Sequence, residues 1–268
     1  MADPLIVAVG IAGFLAAACW VLSLIFREYS WVDRLWSVAP AIYAWWFAYA
    51  GGFSPRVTLA TVVVTAWAAR LTYNFARKGG YAKGGEDYRW EVMRAKMGPG
   101  TWQVFNVLFI CGFQHALILG FTLPVWMMTA TATGPLTSVD VVGAGAMLFF
   151  LVGETIADQQ QWNFQQAKKA KRERGEPVRE QFVTTGLFRY SRHPNFFCEM
   201  SFWWSLYAWS VAAGAPLWNW TIAGPIVLTF VFLGSTPLTE GISASKYPEY
   251  AGYQKRVSRL IPWLPKRG

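Results

Sequence analysis

The residues best suited to chemistry are densest in the stretch 186–199, which packs arginine, histidine, asparagine and glutamate side chains against the start of an apolar run. Pro194 suits the first position of a helix, so Asn195 and Glu199, four residues apart, fall on one helix face. The first N–H groups of a helix are unpaired, and with Arg192 beside them they favour an anion such as phosphate. The stretch predicts an anion-binding site at the N-terminus of a membrane helix.

A second polar feature is a line of Glu154, Asp158, Gln161 and Gln165, which recur at steps of four, three and four in an otherwise apolar segment. This spacing places all four on one face of a helix. Ionisable groups at membrane depth usually mark a site or a pathway. The alternative is that Asp158 and the glutamines lie at the cytoplasmic end of the helix and are simply solvated.

A cationic line of Arg70, Asn74 and Arg77 is predicted on another helix. A buried cation needs a carboxylate, a phosphate or water as a partner. Two interpretations stay open for Arg70, which are an internal salt bridge to Asp158 or Glu154 and a clamp for the phosphate or amide of a cofactor.

Asp33 opens a further apolar segment and has two possible roles. It could cap a helix or face water at the membrane interface. It could instead face a cavity, where a carboxyl group in an apolar site stays protonated near neutral pH and donates a hydrogen bond to a carbonyl. His115, alone in an apolar segment, is interpreted as a hydrogen-bonding residue in helix packing rather than as a base.

Two segments of mixed charge and aromatic residues, 86–90 and 246–256, are expected on the same side of the membrane as the stretch 186–199. They could form amphipathic helices at the interface, or they could cover a nucleotide by stacking on its base and binding its phosphates. The nucleotide interpretation adds further candidates for cofactor binding, namely Asp87, Arg89, Gln161, Arg189, Arg192, His193, Tyr247, Tyr253 and Arg256.

The elements that must position these residues are membrane helices. Hydrophobic residues make up 54% of the 268 positions and there are 16 tryptophans, which is too apolar for an ordinary soluble domain. Without a repeat or a composition break, the chain is predicted to be one all-α domain over 1–268. Seven segments are long enough to cross ~30 Å of hydrocarbon, and they are 5–26, 35–51, 57–76, 105–132, 139–160, 195–213 and 218–237, the second being the shortest.

Charge placement predicts the orientation. All 24 lysines and arginines except Arg56 and Arg70 fall in the connections on one side or in the C-terminal tail. Positive charge marks the cytoplasmic side, so we expect the N-terminus outside and the C-terminus in the cytoplasm. The expected location is the inner membrane of a bacterium, with the active site opening to the cytoplasm.

Composition and spacing argue against two other classes of site. The net charge of +9 is explained by membrane topology and anionic lipid headgroups, so nucleic acid is not expected as a partner. Cys19, Cys111 and Cys198 lie in separate segments without CxxC or Cys/His spacing, which indicates neither a metal site nor a disulfide framework. Nothing in the sequence indicates the oligomeric state.

Together these motifs resemble the steroid 5α-reductase family and its bacterial relatives, which are membrane enzymes that reduce the Δ4 double bond of 3-oxo-steroids with NADPH. The resemblance is strongest over 153–262. It rests on the acidic pair Glu154 and Asp158, on Gly-Leu-Phe at 186–188, on Asn195 to Glu199 and on the tail from Tyr253 to Pro262. Cys198 stands where the family motif commonly has glycine, so the backbone approach to the cofactor is expected to differ slightly.

The resemblance implies roles for individual residues. It assigns NADPH binding to Asn195, Glu199, Glu154, Asp158 and Arg70. Asp33 and Pro40 keep the spacing of a catalytic glutamate and a following proline in the animal enzymes. The carbonyl-binding tyrosine of the family falls at Trp67, which can donate a hydrogen bond but not a proton, so Tyr73 and Tyr43 are the phenols that could substitute for it.

The expected reaction is hydride transfer from NADPH to a lipid enone, a steroid or a similar compound that enters from the bilayer. Asp33, with Trp67 or a nearby tyrosine such as Tyr73, is expected to stabilise the charge that builds on the carbonyl oxygen. The competing enzyme class is an S-adenosylmethionine-dependent membrane methyltransferase of the isoprenylcysteine or phospholipid type, in which Arg192, His193 and Pro194 would act with Glu240. A lipid-binding or transporter-like protein is a third possibility, weakened by the lack of paired inverted halves.

Overall fold

The computed structural model describes residues 3–131 and 134–266, and within these residues it is built from helices without a β-strand. The predicted all-α class is confirmed. The longer helices are α1 (Pro4–Phe26), α3 (Val38–Ala50), α4 (Pro55–Arg77), α7 (Gln114–Thr131), α8 (Ser138–Glu173), α9 (Pro194–Ala212) and α10 (Ala223–Lys246). The shorter ones are α2 (Trp31–Leu35), α5 (Tyr88–Arg94), α6 (Pro99–Phe105), α11 (Tyr250–Arg256), a π-helix (Asn106–Phe113) and two 3₁₀ turns (Gly186–Arg189 and Trp220–Ile222).

Proline fixes where several of these helices begin. α1, α4, α6 and α9 each start at a proline, whose missing N–H would be unpaired at that position in any case. The Asp3 carboxylate accepts a hydrogen bond of 2.8 Å from the Leu5 N–H and so caps α1. The predicted helix start at Pro194 is confirmed.

Four helical segments are long and apolar enough to cross a membrane: Pro4–Phe26, Pro99–Thr131, Ser138–Glu173 and Trp220–Lys246. They cover the first, fourth, fifth and seventh of the predicted spans, apart from Ala132, which lies outside the described residues, and from residues 218–219, which precede Trp220. The other three predicted spans fall on α3, α4 and α9. At 13 residues, α3 rises only ~20 Å along its axis, shorter than the hydrocarbon layer.

The chain packs as two compact units. Unit 1 comprises residues 1–144 and 206–227, and unit 2 comprises residues 145–205 and 228–268. The interior of unit 1 is closed by large side chains without exposed surface, among them Tyr43, Phe47, Trp67 and Phe121.

Close helix approach in unit 1 depends on a glycine pair. A Cβ placed on Gly224 would lie 2.3 Å from the backbone of Gly120, so α10 and α7 touch there through bare backbone. The same unit holds a buried ion pair in which the Arg56 guanidinium binds both carboxylate oxygens of Asp140, at 2.6 and 3.2 Å. The Trp209 indole N–H donates to the same carboxylate at 3.0 Å.

Unit 2 has two small apolar clusters beside its helices. One contains Ala157, Val183 and Phe188. The other contains Tyr250, Tyr253 and Val257, with Phe182 packed against it. Together they hold the 3₁₀ turn Gly186–Arg189 and α11 in fixed positions.

Candidate functional site

Unit 2 contains the acidic line predicted from the sequence. Glu154, Asp158 and Gln161 lie on the continuous helix α8, and the two carboxylates are buried. The amide oxygen of Gln161 is also buried, and it has no hydrogen-bond partner among the described residues. A buried acceptor without a partner costs free energy, so this amide is suited to receive an N–H from a ligand.

The start of α9 supplies the second set of predicted residues. Asn195 is half-buried, and Glu199 is buried one turn later, where its carboxylate accepts a hydrogen bond of 3.2 Å from the Trp203 indole. A Cβ placed on Gly153 would lie 2.9 Å from the Cys198 sulfur. α8 and α9 therefore approach closely at the positions next to Glu154 and Glu199.

The 3₁₀ turn that precedes α9 is fixed by one glycine and one glutamine. Gly186 has φ +62°, and a Cβ there would lie 2.4 Å from the Gln160 side chain. The Gln160 amide oxygen accepts a hydrogen bond of 2.9 Å from the Leu187 N–H. Only glycine fits this position, because its lack of a Cβ permits both the backbone angle and the contact.

Arg192 and His193 bind a carboxylate of the same unit. Arg192 donates from Nε and Nη2 to the two Glu240 oxygens at 2.7 and 3.0 Å, and also to the Gln254 carbonyl at 2.9 Å. His193 Nε2 lies 3.0 Å from Glu240 Oε1, and the Gln254 amide donates to Oε2 at 2.8 Å. Three side chains from two separate segments, 192–193 and 254, thus converge on the Glu240 carboxylate.

Two of the predicted tyrosines help to fix this region. The Tyr253 hydroxyl donates to the Phe188 carbonyl, which ties α11 to the 3₁₀ turn. Burial raises the pKa of Tyr253 and raises that of its neighbour Tyr250 to about 12, so both phenols stay neutral. Tyr247 is different, because the hydrogen bond from the Lys168 ammonium group, with 3.2 Å between Nζ and the hydroxyl, lowers its pKa.

Lys168 also lines a cavity of about 260 Å³ beside the C-terminal part of α8. Its ammonium group is mostly buried and donates to the Gln181 carbonyl at 2.7 Å. The remaining wall of the cavity mixes basic, acidic, hydroxyl and aromatic groups, including Lys171, Glu180, Thr184, Thr185 and Phe182.

Two predicted cations of unit 2 are exposed. Arg189 lies at the end of the 3₁₀ turn, and Arg256 lies at the end of α11, where its Nε donates to the Gly252 carbonyl at 3.3 Å. Arg189 can therefore meet an anion from solvent, whereas Arg192 is bound to Glu240.

Unit 1 contains the predicted carboxyl group of Asp33, which is half-buried. Asp33 Oδ2 accepts a hydrogen bond of 2.8 Å from the Trp90 indole, and burial raises the pKa of Asp33. The connection that carries Trp90 is fixed by a 2.9 Å hydrogen bond from the Asp87 N–H to the Ser30 hydroxyl. Asp87 and Arg89 form an ion pair of 2.7 Å with each other.

The other residues predicted in unit 1 lie on different faces of α4. Trp67 is fully buried, Arg70 is half-buried, and Tyr73 is 66% exposed. Tyr43 on α3 is fully buried, and its hydroxyl has no hydrogen-bond partner among the described residues. The structure thus places Tyr43, rather than Tyr73, inside the unit as Trp67 is. Arg77 donates to Asn74 on its own helix.

His115 occupies the interior of unit 1, directly after the π-helix. Its Nδ1 lies 2.8 Å from the Cys111 carbonyl, and its Nε2 lies 3.9 Å from the Cys19 sulfur. These contacts agree with a packing role, because one ring nitrogen contacts the preceding turn of the same helical segment and the other faces Cys19 on α1.

Some residues of the unit 2 site were missed by sequence reasoning. Gln160 supports the glycine turn, Lys168 lines the cavity, and Gln254 completes the set around Glu240. The steps along the polar line pointed to Gln161, and Gln160 is its neighbour in a run of three glutamines. The glycine at 186 is a sequence signal that another group lies close to the backbone there. Only the three-dimensional structure shows that this group is Gln160.

Comparison with known proteins gives a family. The model of a family of proteins of unknown function, DUF1295, matches residues 19–257. The chain is also 36% identical over 277 residues to an uncharacterized protein of Schizosaccharomyces pombe, a match that covers 98% of this chain and 80% of the yeast protein. No solved structure matches it.

The chain therefore belongs to the DUF1295 family, which is steroid 5α-reductase-like. The predicted resemblance is confirmed at this level.

Proposed function

We propose that this protein is an NADPH-dependent membrane reductase of a lipid enone, with 3-oxo-Δ4-steroids as the substrate class. The observation that carries the proposal is the arrangement in unit 2. Glu154, Asp158 and Gln161 lie on α8, and Asn195 and Glu199 lie in the first two turns of α9. The resemblance of these motifs to the steroid 5α-reductases supports the same conclusion.

The residues of unit 2 fit a dinucleotide with a phosphate and a carboxamide. The buried Gln161 oxygen has no partner among the described residues and could accept an amide N–H. Arg189 is exposed and could bind a phosphate, as could the Asn195 side chain through its amide. Bound NADPH would supply the hydride.

Unit 1 supplies the group that would activate the substrate. An enone accepts a hydride at its β carbon more readily when its carbonyl oxygen is hydrogen bonded, because negative charge builds on that oxygen. Burial raises the pKa of Asp33, which favours the protonated form, and the Trp90 indole donates a hydrogen bond to Oδ2. A protonated Asp33 would donate to the carbonyl oxygen of the substrate. Tyr43 is a second donor, since its hydroxyl has no partner among the described residues.

The proposed topology has seven crossings, with the N-terminus outside and the C-terminus in the cytoplasm. Four helices meet the length and composition needed for a crossing, and α3, α4 and α9 complete the seven. The uneven distribution of lysine and arginine supports this orientation. Reporter fusions at the C-terminus and at the connection 51–54 test it, since the two reporters should indicate opposite sides of the membrane.

Cofactor binding by the purified protein in detergent is the decisive experiment. We expect NADPH to raise the melting temperature, and we expect Asn195→Ala and Glu199→Ala to abolish that increase. Glu173→Ala, which removes an exposed acid at the end of α8, is the matched control and should bind NADPH as the unchanged protein does. NADPH consumption with progesterone or testosterone then tests the substrate class, and binding without reduction would refute the steroid assignment.

A second function is favoured by one contact. Arg192 and His193, which precede Pro194, both bind Glu240, and these are the residues expected to act together in an S-adenosylmethionine-dependent membrane methyltransferase. Stabilisation by S-adenosylmethionine and not by NADPH in the same assay would replace the reductase proposal with this one.

A further inference from the structure

The end of the chain exposes three large apolar side chains in unit 2. Ile261, Trp263 and Leu264 are 65%, 72% and 74% exposed. Together with Pro262 they form what we call the tail ridge. Large apolar side chains that are exposed together mark an interaction surface.

The backbone of the tail ridge is fixed to the segment before α9. The Trp263 N–H donates to the Tyr190 carbonyl at 2.9 Å, and the Ser191 hydroxyl donates to the Leu260 carbonyl at 2.7 Å. The Arg192 N–H donates to the Ser258 carbonyl at 2.8 Å. The ridge is therefore a fixed feature of unit 2 rather than a loose end.

The same contacts relate the ridge to a candidate membrane span. Leu187, three residues before Tyr190, donates its N–H to Gln160 on α8. α8 is one of the candidate spans, and its apolar sequence ends at Ala157, shortly before the three glutamines that include Gln160. The ridge is thus joined, through residues 187–190, to the part of α8 that would leave the hydrocarbon layer.

The segment that carries the ridge has charge of one sign. Residues 250–266 contain no acidic residue and four basic ones, Lys255, Arg256, Arg259 and Lys266. Lys255, Arg256 and Lys266 are exposed, and the Lys266 N–H donates to the Arg256 carbonyl at 2.9 Å, which places these two residues side by side.

We propose that residues 255–266 form an interfacial anchor, in which the tail ridge inserts among lipid acyl chains and the basic residues bind anionic phospholipid headgroups. A tryptophan with apolar neighbours partitions to the interface, and each lysine or arginine near the surface adds attraction to anionic lipid. Membrane lipid is favoured as the occupant because the ridge is joined to the part of α8 where a candidate span ends, and because the basic residues of its own segment complement anionic headgroups. The anchor would steady the segment that holds Arg192 and His193, and it does not depend on which ligand binds there.

A fluorescent probe on the ridge tests this proposal. Leu264→Cys is labelled with an environment-sensitive dye and placed in nanodiscs of phosphatidylcholine alone or with phosphatidylglycerol. The three native cysteines are buried, so labelling is selective. We expect a blue-shifted emission that is larger with phosphatidylglycerol, together with protection from aqueous iodide.

The control label is Glu173→Cys at the exposed end of α8, which should stay accessible to iodide in both nanodiscs. Lys255→Glu combined with Lys266→Glu should reduce the shift at position 264. A label that iodide quenches equally in both lipid compositions overturns the proposal. So does a shift that is the same in both. The labelled protein is also measured in native membrane vesicles, and protection that appears there but in neither nanodisc would indicate a protein partner instead.

Discussion

Arg192 and Glu240 are 48 residues apart in sequence, yet they form a two-pronged ion pair with 2.7 and 3.0 Å between their atoms. Less than a tenth of either side chain is exposed. A pair of this kind contributes less to stability than its geometry suggests, because both charges lose water, but removing one partner leaves the other uncompensated. The pair connects the start of α9 with the C-terminal part of α10.

Because the loss of one partner leaves the other charge uncompensated, Glu240→Gln should destabilise the protein. We expect a loss of about 3–5 kcal/mol in the free energy of unfolding, since a buried guanidinium loses its counter-charge. A lower melting temperature in detergent would show it. Glu249→Gln, which changes an exposed glutamate just before α11, is the control and should leave the melting temperature nearly unchanged. Equal melting temperatures for both variants would mean that Arg192 finds another partner.

A second prediction separates backbone strain from steric conflict at Gly186. Gly186→Ala should cost more than Gly175→Ala, although both glycines have positive φ, at +62° and +70°. A Cβ at 175 meets nothing within 4 Å, whereas one at 186 meets Gln160 at 2.4 Å. Gly175→Ala should therefore lose only about 1–2 kcal/mol from its backbone conformation.

Thermal unfolding and NADPH binding of the two variants check this difference. Gln160→Ala combined with Gly186→Ala should recover part of the loss, because the steric conflict is gone while the strain remains. If Gly186→Ala behaves like Gly175→Ala in both measurements, the contact with Gln160 does not constrain the turn.

A third prediction concerns the pH dependence of Asp33. Burial raises its pKa in the folded protein, so the folded state holds the proton more tightly than the unfolded state does. The contribution of Asp33 to stability is then complete below its unfolded pKa of ~3.9 and is lost as pH rises towards the higher folded pKa. Asp87 and Arg89 are the charged neighbours, and they act in opposite directions.

Asp33→Asn should accordingly become more stable relative to the unchanged protein as pH rises from about 4. The difference in melting temperature between the two proteins, followed from pH 4.5 to 8, measures this effect. A difference that moves in the opposite direction would show that the folded protein favours the carboxylate.

A fourth prediction distinguishes two phenols. Tyr43→Phe should leave stability unchanged or slightly higher, because the lost hydroxyl has no partner among the described residues. If that hydroxyl polarises the substrate carbonyl, the same change should lower the rate of the proposed reduction by roughly 10²-fold or more. Tyr73→Phe, at an exposed position, should change neither quantity. Full reductase activity of Tyr43→Phe would remove Tyr43 from the mechanism.

Local signals in the sequence predicted many of the elements correctly. Pro194 fixed the start of α9 because a proline N1 is compatible with only a few backbone arrangements. The steps between Glu154, Asp158 and Gln161 predicted a shared helix face because the period of the α-helix is constant.

Features that depend on tertiary packing could not be predicted in this way. Gln160 and Gln161 are the same residue type but point about 100° apart on α8. The sequence does not say which of them meets the turn at Gly186, and the structure shows that it is Gln160. The ion pair of Arg192 with Glu240 joins distant segments, and no local pattern encodes it; only the competing methyltransferase interpretation grouped these two residues. The burial of Tyr43 and the exposure of Tyr73 likewise follow from how α3 and α4 pack, not from the residues beside them in sequence.

The length of α8 exceeds the thickness of the hydrocarbon layer. Its 36 residues extend for ~54 Å, whereas the hydrocarbon layer is ~30 Å thick, or about 20 residues of helix. Measured from Ser138, the layer would end near Asp158, and Lys168 would stand ~15 Å beyond it. In that placement the carboxylates of Glu154 and Asp158 would lie near the lipid boundary, and the cavity lined by Lys168, Lys171 and Glu180 would lie in the water. An extended ligand with an uncharged end and a charged end would reach both regions at once.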